Sequence, residues 1–125
     1  MPEMPKFEKS PPALVERFGT VLDRVAPEAG RRPMFGYPCA WVGGNMATGL
    51  FADKWWVRLP PERLAAVLAA GEASTFEVMP GREMKGYAVM PDRVVADDTL
   101  VDAWVGEAVA YTASMPPKEP KPRKQ

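Results

Sequence analysis

The 125-residue chain predicts an α+β domain of two layers, an antiparallel sheet with helices mainly on one face, in the order α-β-β-β-α-β-β-α. Three observations predict it. Apolar residues recur at helical spacing in three separated stretches, five other runs are rich in aromatic and β-branched residues, and Gly, Pro and Asp turns separate most of those runs. One core is expected, since a domain of this size typically buries roughly 65 to 70 % of its unfolded surface.

The first helix is predicted over 10–26, with Ser10 as N-cap and Pro11-Pro12 in the first turn, where missing N–H groups cost little. Leu14, Val15, Phe18, Val21, Leu22 and Val25 form its apolar stripe, and Pro27 and Gly30 end it. Three strands follow at 34–42, 46–52 and 54–59, reversed by Gly43-Gly44-Asn45 and Ala52-Asp53-Lys54. Pro38 cannot donate to a ladder, which places the first strand at an edge or marks a bulge. Pro60-Pro61 opens a second helix carrying Leu64, Val67 and Leu68, stopped by Gly71. A hairpin is predicted from 75–79 and 84–90 around a loop at 80–83. The last helix runs over 97–114, with Asp97, Asp98 and Asp102 suiting the positive end of its dipole.

Strand periodicity puts Trp55, Val57 and Leu59 on one face and Trp56 and Arg58 on the other, so both faces carry a bulky aromatic. Three helices cover one face, and the second is expected to stay partly apolar. Such a face usually finds a partner, which motivates a homodimer or a protein partner.

Hydrophobic residues make up 46 % and charged residues 26 %, as in ordinary globular domains. Residues 1–12 and 116–125 are proline-rich and charged and are expected to be flexible ends around one domain at 13–115. The formal net charge is zero, yet Lys118, Lys121, Arg123 and Lys124 against Glu119 give the tail +3 and leave −3 elsewhere. Only the tail then attracts nucleic acid electrostatically. The stretch 33–52 is uncharged and long enough to span a bilayer, but its glycines and Pro38 fit strands and turns instead. No secretory leader is expected and Cys39 stands alone, so the cytoplasm is the predicted compartment and no membrane partner is foreseen.

Histidine is absent from the sequence, which excludes Ser-His-Asp and Cys-His catalysis and His-ligated zinc. Cys39, within a strand, is expected to be a small buried residue. Asp92, Asp97, Asp98 and Asp102 lack the ligand spacing of a calcium loop, and Gly43, Gly44 and Gly49 fit no phosphate-loop pattern. No catalytic residue, cofactor or metal ligand is therefore assigned. The aromatics Phe35, Tyr37, Trp41, Trp55 and Trp56, with Arg58 nearby, are of the kind that stacks on single-stranded nucleic acid; most are expected in the core instead, and Trp56 and Arg58, facing away from Trp55, are the expected exceptions. Arg32, Trp56, Arg58, Arg82 and Lys85 are the candidate partner-binding residues.

Arg32-Pro-Met-Phe-Gly, Gly44-Asn45-Met46, Gly49-Leu50-Phe51-Ala52-Asp53-Lys54 and Trp56-Val57-Arg58-Leu59 form an ordered series. Phe76, Pro80-Gly81-Arg82, Met84-Lys85-Gly86-Tyr87 and Trp104-Val105 before Tyr111 continue it. The series resembles the N-terminal domain of the TfoX/Sxy family, from about Leu14 to Pro117. The resemblance implies a sheet domain akin to small secretion-chaperone-like folds in a bacterial intracellular protein. Named members regulate natural competence with a cyclic-AMP receptor protein and carry a second, helical domain, whereas this sequence ends in its proline-lysine tail. The resemblance supplies no catalytic residues. Three functions follow in order: a non-enzymatic regulatory or protein-interaction module, a nucleic-acid-associated regulator, and a small-ligand carrier or enzyme using Glu77, Arg82, Tyr87 or Cys39.

Overall fold

The computed structural model describes residues 9–34, 36–79 and 81–116. Residues 1–8 and 117–125, where most of the predicted flexible ends fall, lie outside the described residues, and nothing is assigned to the side chains of 78, 79, 82 and 83. The elements are α1 (Pro12–Val25), β1 (Gly30–Arg31), β2 (Cys39–Val42), β3 (Asn45–Phe51), β4 (Lys54–Arg58), α2 (Pro61–Ala69), β5 (Ser74–Met79), β6 (Arg82–Val89), α3 (Asp92–Val95) and α4 (Asp98–Ala113). All strand pairs are antiparallel, in the order β1-β2-β3-β4-β6-β5. This is the predicted two-layer α+β order, with β1 and α3 added as short elements.

The local chemistry of the termini is mostly as the residues dictate. Asp97 caps α4, its Oδ1 accepting from the Leu100 N–H at 3.0 Å. Ser10, expected to cap α1, does not. The cap position is Pro11, which has no side-chain acceptor, and the Ser10 hydroxyl is buried without a hydrogen-bond partner. Two adjacent prolines fix φ near helical values, so α1 starts on backbone restriction instead of a side-chain cap.

The first predicted strand is shorter than expected. Met34 and Tyr37 exchange backbone hydrogen bonds of 2.9 and 3.0 Å across a tight reversal with Gly36 at φ +80°, so strand pairing starts only at Cys39. A bulge between Ala40 and Trp41 then breaks the alternation. Cys39 pairs with Gly49, but Trp41 pairs with Met46, on the opposite face.

Cross-strand register assigns the faces. Thr48 opposes Val57, and Leu50 opposes Trp55, so these four share one side with Ala40 and Ala88. The helices cover this side. Phe18 of α1 packs on Trp55 with ring centroids 5.2 Å apart, and Val21, Leu22, Val101, Val105 and Ala108 are fully buried beside it. α1 and α4 are joined by Arg17–Asp98 at 2.9 Å and Arg24–Asp102 at 2.6 Å, and α2 reaches α4 through Arg63–Glu107 at 3.2 Å. Beneath them, the buried Thr48 hydroxyl accepts from Trp55 Nε1 at 2.8 Å and donates to the Trp56 carbonyl at 2.7 Å, satisfying both groups.

The other side of the sheet differs from the expectation of an exposed apolar face. Tyr37, Phe51, Trp56, Phe76 and Tyr87 meet there and all are buried. Trp56 stacks on Phe76 at 5.4 Å and stands edge-on to Tyr87 at 5.0 Å, and Phe51 meets Phe76 at 5.6 Å. Phe51 and Phe76 belong to strands three spacings apart, about 14 Å in a flat sheet, so this side is concave and closes on its own rings. Among the described residues Val15 is the one large hydrophobic side chain that stays exposed. The rings expected on that face are therefore buried within the domain.

Candidate functional site

β4 and β6 pair with Arg58 opposite Tyr87, which brings the last arginine of β4 to the rim of the aromatic cluster. The guanidinium carbon lies 4.7 Å from the centre of the Tyr87 ring, a cation–π distance. One terminal nitrogen donates to the Tyr87 hydroxyl and the other to the thioether of Met115 at 3.1 Å, while Nε is buried with no partner. Arg17, Arg24, Arg31, Arg63 and Arg93 each have a carboxylate within salt-bridge distance, and Arg58 has none among the described residues.

Lys85, exposed on β6, shares a pocket of about 260 Å³ with Arg58. Leu59, Pro61 and Leu64 form its apolar wall, and Gly86 and Tyr111 complete it. Among the described residues no carboxylate lines it. A cleft of about 370 Å³ also holds two arginines, but Arg31 is paired with Asp23 at 2.6 Å, and two larger clefts are differently built. The one of about 680 Å³ contains Arg17, already bonded to Asp98 and to the Val95 carbonyl, together with Asp53 and Asp92. The one of about 650 Å³ contains Arg32, whose guanidinium covers the Trp41 ring at 4.6 Å, and has Glu28 in its wall.

The five candidate partner-binding residues thus separate. Arg58 and Lys85 come together, and Arg32 lies elsewhere, its carbonyl accepting from Trp41 Nε1 at 3.0 Å. Trp56 is a correction: it has no exposed surface, because Gly49 leaves room for its indole and Phe76 and Tyr87 enclose it. It can neither stack on a nucleic-acid base nor meet a partner in this structure. The Arg82 side chain lies outside the described residues. Tyr111 belongs to the ordered series in the sequence but not to the five candidates, and Met115 belongs to neither. No local pattern marks Met115, which is 57 positions from the arginine it meets.

The other chemical candidates have structural partners. Burial pushes the Cys39 thiol up to about 12, opposed in part by Arg32. Asp97 caps α4, Asp98 and Asp102 pair with arginines of α1, and Glu77 accepts from the Gly81 N–H at 3.3 Å. Among the described residues no group of three or more Cys, Asp or Glu side chains is placed to hold a metal ion, and no helix is long and apolar enough to cross a membrane.

A curled antiparallel sheet with helices packed on one face and a pocket holding Arg58 and Lys85 at its rim defines a small two-layer α+β domain. Residues 21–111 match the TfoX N-terminal domain, and the chain belongs to that family. No curated protein and no solved structure gives a match.

Proposed function

We propose that this domain is a regulatory module that acts by holding a protein partner, without catalysis, and that the Arg58–Lys85 pocket receives an acidic group of that partner. The observation that carries the reading is the half-buried Arg58 guanidinium, which has no carboxylate within salt-bridge distance among the described residues. A guanidinium keeps its charge at any physiological pH, and desolvating it without an anion is costly. An acidic group arriving from outside supplies the missing counter-charge. Membership in the TfoX N-terminal domain family supports a regulatory role.

A photo-crosslinking residue at position 85, introduced in the native host, tests this. A discrete adduct that disappears when Arg58 becomes Met is expected; identical adducts from a crosslinker placed at Glu28, on the far cleft, refute the site. The nucleic-acid alternative loses Trp56 as a stacking platform and now rests on tail residues outside those described.

A further inference from the structure

We infer that the Arg58–Lys85–Tyr111 pocket is a phosphate-monoester site, an inference that rests on reading this pocket as the place where an anion docks. Among the described residues two side chains of charge +1 line it and no carboxylate does, so a dianion balances these charges whereas a single carboxylate leaves one over. Glu62, the carboxylate nearest in sequence, follows the wall residue Pro61 and is not part of the lining.

The donors agree with the charge. Arg58 spends its hydrogen bonds on a phenol and a thioether, both weaker acceptors than an oxyanion, and its Nε has none. Lys85 adds an ammonium without an ion pair among the described residues, and Tyr111 adds a phenol. A phosphate monoester presents three acceptor oxygens and about −1.5 to −2 charge at neutral pH. The volume of about 260 Å³ lies below the range of roughly 300 to 1,000 Å³ for pockets that enclose drug-sized ligands. It accommodates a phosphoryl group and a short ester arm, as on a phosphorylated side chain or a small phosphorylated metabolite. Leu59, Pro61 and Leu64 offer that arm an apolar wall.

The test is an amide-resonance titration of the full chain at constant ionic strength, with inorganic phosphate, phenyl phosphate, N-acetyl-phosphoserine amide and N-acetyl-glutamate amide as probes. Saturable shifts centred on Gly86 and Tyr111 are expected for the phosphates. Affinity should rise between about pH 5.5 and 7.5 as the phosphate takes its second charge. Lys85→Gln, at an exposed position, should weaken phosphate binding about tenfold with unchanged thermal unfolding. Tighter binding of phosphoserine amide than of phenyl phosphate assigns the site to a modified partner, and the reverse order to a small metabolite. Glutamate amide binding as tightly as phosphoserine amide overturns the phosphate inference and leaves an acidic-partner pocket standing. No response to any probe, or full response in Lys85→Gln, overturns the phosphate inference too, and the crosslinking at position 85 then decides separately whether the pocket meets a partner at all.

Discussion

The indole of Trp56 occupies the space above Gly49 where a side chain would stand: a Cβ at residue 49 lies 2.5 Å from Trp56 Cζ2 and 3.1 Å from the Pro38 carbonyl oxygen. Neither neighbour can yield easily, since the indole is held by Phe76 and Tyr87, and the Pro38 carbonyl accepts from the Leu50 N–H at 3.0 Å. Gly49→Ala should therefore destabilise by about 1 to 3 kcal/mol through overpacking, and Trp56→Ala by about 3 to 5 kcal/mol through loss of a buried ring. In denaturant unfolding, Gly49→Ala combined with Trp56→Phe should cost less than the sum of the single changes, because the smaller ring frees the space. Additive costs would show that the two positions do not meet.

This pair also marks where the sequence stopped being legible. The stripes of α1 and α4, the Asp97 cap and the β2–β3–β4 meander follow from spacing and turn residues, which are local. Alternation correctly put Trp55 and Trp56 on opposite faces. It could not say what covers the second face, because sheet curvature and contacts across three strand spacings are tertiary. The same limit applies at the pocket. Arg58 and Lys85 stand out in the sequence by charge and position, whereas Tyr87 and Met115, which hold the guanidinium, come from 29 and 57 residues away.

Ala52, in the turn between β3 and β4, has φ +54°, a left-handed conformation in which its methyl group crowds the backbone. Ala52→Gly should raise stability by about 0.5 to 1 kcal/mol, the relief of strain exceeding the entropy gained by the unfolded chain. Ala52→Val should lower it by more than about 1 kcal/mol, since a β-branched residue is a poorer fit to positive φ. Thermal unfolding of the two variants, moving in opposite directions, checks the turn geometry. A Val variant as stable as the wild type would contradict it.

Cys39 is 2 % exposed, and burial pushes its thiol up to about 12, so almost no thiolate exists at neutral pH. Labelling with an aromatic disulfide reagent should be negligible in the folded protein and immediate in denaturant. Its rate in water should track global or local opening, slowing in any variant that stabilises the fold. Rapid labelling of the native chain at pH 7 would remove Cys39 from the core and reopen a thiol-based function.

The α1–α4 contact has a built-in acid sensitivity. Asp102 receives both Nε and a terminal nitrogen of Arg24, at 2.7 and 2.6 Å, and this bidentate hydrogen bonding holds its carboxyl below the usual aspartate range, with Arg17 adding to the effect. The same bonding raises the affinity of Arg24 for its proton, which no accessible pH removes. A carboxyl whose folded value is depressed stabilises the fold at every pH above its unfolded value of about 3.9. That contribution is lost as pH falls below it and through the folded value. Asp102→Asn should accordingly be less stable than the wild type at neutral pH, by a small margin because the pair is partly solvated and screened by salt. The two unfolding curves should converge on acidification below about pH 4. Arg24→Gln should reproduce the loss and add little to Asp102→Asn, as expected for partners in one interaction. A wild-type advantage that persists undiminished to pH 2 would show that Asp102 acts through packing and not through its charge.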